Sequence, residues 1–99
     1  MKDDVSIRRA EISELSILLR WRMEVLHAVF GLPEAEPLTA LRAANEEYYR
    51  SALADGSHIA CFAEQNGGIF GCGGVCLSRE MPSPDNPSGR CAYLMNIYT

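Results

Sequence analysis

The last nine residues, CAYLMNIYT, carry no charge. On a strand, one face would hold Cys91, Tyr93, Met95, Ile97 and Thr99, and the other Ala92, Leu94, Asn96 and Tyr98. Both sets are mostly apolar. A strand with one wet face alternates apolar and polar residues, whereas a strand covered on both faces does not. The segment therefore predicts a central strand with a layer packed on each side. Such a strand left uncovered, with free edge groups, invites pairing with another chain. Ninety-nine residues make about one domain with too few elements to cover both faces, so the second layer is expected from elsewhere, in the rest of a larger domain or in a partner copy.

The rest of the chain offers two helices and three further strands. Residues 5–10 alternate Val5, Ile7 and Arg9 against Ser6 and Arg8, as a short strand does. Ile12, Leu15, Leu19, Met23, Leu26 and Phe30 then recur at three- and four-residue steps, which is one stripe of a helix. Ser13 and Glu14 suit its start, and Gly31 its C-cap. After a loop from Leu32 to Pro37, Thr39 is placed to cap a second helix. That helix puts Leu38, Leu41, Asn45, Tyr48, Tyr49, Ala52 and Leu53 near one face, and Asp55 and Gly56 end it. Residues 58–65 form a strand, Asn66-Gly67-Gly68 a hairpin turn, and residues 69–77 the returning strand. Gly71, Gly73 and Gly74 in that strand point to a bulge or a close approach of backbone. A proline-rich loop over 80–90 leads to the terminal strand. The expected class is α+β, order β-α-α-β-β-β, with a mostly antiparallel sheet and one domain over 1–99. Two helices cover one face of such a sheet, and the chain is expected to self-associate through residues 91–99.

Charge and cysteine usage narrow the function classes. The chain has 9 Lys and Arg against 13 Asp and Glu, net −4, with no basic lobe. Nucleic-acid and anionic-membrane surfaces begin with clustered positive charge, so neither is expected as a partner. No apolar run approaches a membrane span. The opening MKDD lacks the basic and apolar regions of a secretory leader, which points to the cytoplasm. Cys61, Cys72, Cys76 and Cys91 lack CxxC spacing and read as free buried thiols, with no metal site. The run Gly71-Cys72-Gly73-Gly74 lacks the strand–loop–helix setting of a phosphate loop.

In this order the segments resemble a known family. VSIRRAEISEL, the helix pair, the hairpin IACFAEQNGGIFGCGGVCL and the strand AYLMNIYT together resemble the N-terminal part of a GNAT-type (Gcn5-related) N-acetyltransferase. In that family the fourth strand runs into an R/Q-x-x-G-x-G/A loop and a helix that bind the CoA pyrophosphate. The resemblance therefore implies a domain truncated before that loop and inactive on its own. It also implies an intact parent that transfers an acetyl group from acetyl-CoA to a small-molecule amine or a protein N-terminus. Ile97, Tyr98 and Thr99 match the positions that hold the acetyl and pantetheine groups through main-chain atoms. Trp21, Glu24, Tyr48 and Tyr49 fall in the helices that shape the acceptor pocket. Asn96 and Glu24 are the catalytic candidates: Asn96 as a polar group inside an apolar strand, Glu24 as a base should burial raise its pKa. Each has a plainer reading, as local hydrogen bonding for Asn96, a solvated helix carboxylate for Glu24 and packing for the aromatics. His27 reads as a tolerated helix residue and His58 as a surface residue at a strand start. The alternative function is a non-catalytic α+β module that dimerises or binds a partner through its last strand.

Overall fold

The structure, a computed structural model, describes residues 4–99. Residues 1–3, most of the opening read above for the absence of a leader, lie outside the described residues. The order is β1 (Ser6–Arg9), a 3-10 turn (Ile12–Glu14), α1 (Leu15–Val29), α2 (Thr39–Asp55), β2 (His58–Gln65), β3 (Gly68–Arg79) and β4 (Arg90–Tyr98). The four strands form one antiparallel sheet in the order β1-β2-β3-β4. The expected α+β class and element order are observed.

Local chemistry explains most boundaries. Glu14 reaches back to accept from the Glu11 amide at 3.0 Å, which starts the 3-10 turn and α1 behind it. Gly31, at φ 64°, ends α1, and the Leu32 amide donates to the His27 carbonyl at 2.9 Å. That six-residue closure satisfies an end carbonyl in the usual glycine-terminated way. The cap of α2 differs from expectation. Leu38, at φ 50°, occupies it and Thr39 is the first helical residue, so no side chain caps this end. Asn66 and Gly67 both take positive φ, as a two-residue hairpin with a matched twist requires.

One face of the sheet carries the core. Phe62 is fully buried, and Leu15, Leu18, Leu19, Val25, Tyr49, Ala60 and Cys72 close around it. The stripe predicted for α1 holds at Leu15, Leu19, Met23 and Leu26, while its ends, Ile12 and Phe30, are exposed. Arg8 faces the same side as Phe62, with its guanidinium carbon 5.4 Å from the ring centroid. It pairs with Glu14 at 2.7 Å and Glu64 at 2.8 Å, so the charge on this face is answered.

The other face is uncovered among the described residues. Ile7, Leu77, Leu94 and Ile97 stand exposed there. The terminal strand is therefore not central: β4 is the sheet's edge, and Tyr93 and Leu94, on opposite faces, are both about two-thirds exposed (68% and 65%). An apolar pattern on both faces specified a strand that is to be covered. The helices supplied here reach one side only. The cysteines are free, as expected, but only Cys72 is buried, and the other three are half-buried.

Candidate functional site

The site is built where β4 departs from regular pairing. Tyr98 pairs with Cys72 and Met95 with Gly74, so Gly73 faces two residues, Asn96 and Ile97. This is a bulge, and it bends the strand and leaves an extra residue out of the ladder. Asn96 has φ 59°, a conformation asparagine tolerates better than most residues. The bulge also changes which side chains share a face. Met95 and Tyr98, three apart, both lie on the helix side, and Ile97 lies on the open side.

The glycines of β3 make room for this arrangement. A Cβ on Gly71 would sit 3.2 Å from the Tyr98 carbonyl oxygen and 3.1 Å from Thr99 Cγ2. A Cβ on Gly74 would sit 2.8 Å from His58 Nε2. The expected close approach is thus real, and so is the bulge: β3 carries an extra residue, Phe70, opposite Ala63 and Glu64 of β2, and β4 carries a second bulge at Asn96 and Ile97.

Two clefts flank the tip of β4. The larger, about 600 Å³, is lined by Arg20, Trp21, Glu24, His27, Ala28, Leu32, Glu34 and Tyr98. Trp21 meets Tyr98 edge-on, with ring centroids 6.4 Å apart. Glu24 is exposed on α1, as a solvated helix carboxylate is. His27 Nδ1 lies 3.3 Å from the Leu32 carbonyl oxygen. The smaller cleft, about 300 Å³, is lined by Arg22, Ala44, Asn45, Tyr48, Tyr49, His58, Met95 and Asn96. The predicted site residues are therefore divided: Trp21, Glu24 and Tyr98 in one cleft, Tyr48, Tyr49 and Asn96 in the other. Ile97 and Thr99 contribute only through their place at the strand end.

Three residues gain significance that sequence reading did not give them. His58 is buried at 3% exposure rather than lying on the surface. Its Nδ1 is 2.9 Å from the Tyr48 hydroxyl, and both Tyr48 and Tyr49 stand nearly perpendicular to its ring. Burial, and then the positive charge of Arg22, lower its pKa, so it is neutral at physiological pH. Cys76 Sγ stands 3.6 Å from the same Tyr48 oxygen. Desolvation, with that thiol second, raises the Tyr48 hydroxyl to about 12, and burial does the same for Tyr49. Both tyrosines keep their protons and can donate. Arg22 joins the helices to the strand, donating to Asn45 Oδ1 at 3.1 Å and Asn96 Oδ1 at 2.9 Å. The partners lie 23 and 74 residues away, and no local signal announces either.

Among the described residues no three His, Cys, Asp or Glu side chains come together as a metal site, and no helix is long and apolar enough to cross a membrane. No protein-family model matches the sequence, and no curated protein matches it. Solved structures do. A predicted acetyltransferase from Clostridium acetobutylicum, crystallised with acetyl-CoA, is similar over 97% of this chain and 60% of its own, with 23% identity and a TM-score of 0.79. The fold is that of part of a GNAT domain. A GCN5-related N-acetyltransferase from Ralstonia eutropha matches at 24% identity and a TM-score of 0.72, over 96% of this chain and 61% of that one. Glucosamine-6-phosphate N-acetyltransferase from Arabidopsis thaliana matches at 16% and 0.52, over 95% and 58%. The chain thus spans about three-fifths of the length of these GNAT structures, and the likeness is one of fold.

Proposed function

We propose that these 99 residues form the acceptor side of an N-acetyltransferase, with acetyl-CoA as the acetyl donor and an amine as the acceptor. The observation that supports this most is the bulge of β4 at Asn96 and Ile97, on an open edge between two clefts. A strand edge offers a row of N–H and C=O groups. In this reading the main chain of Ile97, Tyr98 and Thr99 holds the amides of the pantetheine arm, and one N–H takes the developing negative charge of the thioester oxygen. Trp21 and Tyr98 wall the larger cleft, and Glu24 favours a cationic amine at its mouth. Tyr48 and Tyr49 shape the smaller cleft, with Tyr48 a donor toward His58. Asn96 has no proton to transfer at neutral pH, so its part is to orient. The chemistry is a direct attack: a nitrogen–carbon bond forms, the carbon–sulfur bond breaks, and the proton lost from nitrogen balances that gained by the thiol. Holding both reactants in one geometry is the protein's main contribution. The acceptor is a small-molecule amine or a protein N-terminus.

Acetyl-pantetheine, the portion of the donor that a strand edge can hold, tests this directly. Titrated into the isotope-labelled chain, it is expected to shift the amides of Asn96 to Thr99 saturably by NMR. Unshifted amides at millimolar ligand would sink the proposal. Transfer itself is read as thiol release from acetyl-CoA with primary amines. Among the described residues no helix follows β4 to meet the pyrophosphate with its N-terminus. The 99 residues alone are therefore expected to release no thiol, and a polypeptide carrying the whole domain to do so, in the cytoplasm.

A second reading is favoured by the uncovered sheet face: a non-catalytic module that pairs through β4 with a copy of itself or a partner. Leu94 and Ile97 are exposed beside an unpaired edge. Association of the chain in sedimentation that Leu94→Lys abolishes, together with no acetyl-pantetheine shift at residues 96–99, favours this second reading; a shift at those amides favours the first.

A further inference from the structure

Asn96 keeps a left-handed backbone in the middle of a strand. Asparagine tolerates this at a cost that glycine does not bear, so the conformation must be held. Arg22 on α1 donates from Nη1 to Asn96 Oδ1 at 2.9 Å. The same guanidinium donates from Nε to Asn45 Oδ1 on α2 at 3.1 Å. Asn45 is itself fixed, its Nδ2 donating to the Leu41 carbonyl at 2.9 Å. From the sheet side, the Cys72 thiol donates to the Asn96 carbonyl at 3.3 Å. Among the described residues Arg22 forms no ion pair. Its fork is taken by two neutral amides, a geometry that suits a planar guanidinium and not the single point charge of lysine.

The bulge decides where Tyr98 points. A regular strand would place Asn96 and Tyr98 on one face, because side chains alternate. Removing the extra residue from the ladder would turn Tyr98 away from Trp21, as any one-residue slip exchanges faces. The Trp21–Tyr98 contact across the larger cleft therefore depends on the conformation of Asn96.

We infer that Arg22 is a positioning residue that clamps the β4 bulge and ties it to both helices, so that the acyl-holding strand and the acceptor-holding helices keep one geometry. Its role in catalysis rests on the acetyltransferase reading above, whereas the clamp itself does not.

The test uses the 99-residue chain with Arg22→Ala, Arg22→Lys, Asn96→Gly and the double variant Arg22→Ala/Asn96→Gly. Amide hydrogen exchange reads residues 96–98, and the emission of Trp21, the sole tryptophan, reads the Tyr98 contact. Both Arg22 variants are expected to speed exchange at 96–98 by about tenfold or more, since a hydrogen bond from a charged donor is lost. Trp21 emission changes with it, while core amides of α1 and β2 keep their protection. Glycine at 96 holds positive φ unaided, so the double variant should stay within about twofold of Asn96→Gly alone. Unchanged exchange at 96–98 in Arg22→Ala overturns the inference. So does uniform loosening of the whole chain that Asn96→Gly fails to rescue. Acetyl-pantetheine binding adds the functional arm: it should weaken in Arg22→Ala and return in the double variant. Absence of binding in the unaltered chain, with the exchange pattern as expected, refutes the acetyltransferase reading and supports the clamp.

Discussion

Gly74→Ala puts one methyl group against a wall that cannot easily yield. The new carbon would lie 2.8 Å from His58 Nε2 and 3.0 Å from Cε1, far inside ordinary contact, with the Met95 carbonyl oxygen at 3.5 Å behind it. His58 is a rigid ring, 3% exposed, held at 2.9 Å by Tyr48 and flanked by Tyr49. Overpacking of this kind costs about 1–3 kcal/mol. Alanine returns about 0.4–1 kcal/mol by restricting the unfolded chain, which leaves a net loss of about 1–2 kcal/mol. For a domain this size that is about 4–16 °C in Tm. Gly73 is the control, because its added carbon would meet only Ile97 Cγ1 at 3.7 Å. Gly73→Ala should be neutral or stabilising by up to about 1 kcal/mol. Urea unfolding followed by circular dichroism measures both. Combining Gly74→Ala with His58→Ala should cost about 1 kcal/mol or more less than the two singles together, since the clash disappears with the ring. Equal stabilities of the two glycine variants, or strict additivity in the pair, would refute the packing argument.

Other outcomes are equally definite. Hydrogen bonds from Arg8 and from the Glu11 amide hold the Glu14 carboxyl at about 2, below its ordinary 4.5, so its stabilisation is full above 4.5 and lost as pH falls toward 2. Thermal melts across that window should show a steeper acid loss in the unaltered chain than in Glu14→Gln. His58 works in a higher window. Its folded pKa lies below the ordinary 6.5, so stability is full above 6.5 and declines as pH falls below it, where the unfolded chain takes up a proton first. His58→Gln should remove that part of the pH dependence in urea titrations. Phe62→Ala should cost about 3–5 kcal/mol in the same assay, since Phe62 is fully buried. Survival of the variant at near-native stability would contradict the placement of the core.

Much of this fold can be read from local pattern, because its elements are specified by neighbours in the chain. The stripe of α1, its Gly31 end and the Asn66-Gly67 turn each need only a few adjacent residues. The site is less legible for the same reason. Strict alternation placed Tyr98 with Asn96 and apart from Met95, yet one extra residue at the bulge put Tyr98 and Met95 together. Nothing in NIYT distinguishes a bulge from a regular strand; the glycines opposite, on β3, were the only hint. His58 looked like a strand-end surface group because the tyrosines that enclose it come from the preceding helix. Glu24 kept the place expected of it on α1, and its exposure there agrees with the plainer reading of a solvated helix carboxylate. The central strand foreseen for residues 91–99 was inferred from its composition. Composition states what a strand requires around it, not what these residues supply.

The ladder between β1 and β2 has a consequence for how the chain assembles. β2, β3 and β4 are joined by hairpin connections and can zip together from neighbouring segments. β1 must instead find β2 across both helices, and its Arg8–Glu64 bridge closes a separation of 56 residues. Closing so long a loop costs entropy before any contact offsets it. The amino-terminal strand is thus expected to dock last, on a three-strand meander already formed, and to peel away first.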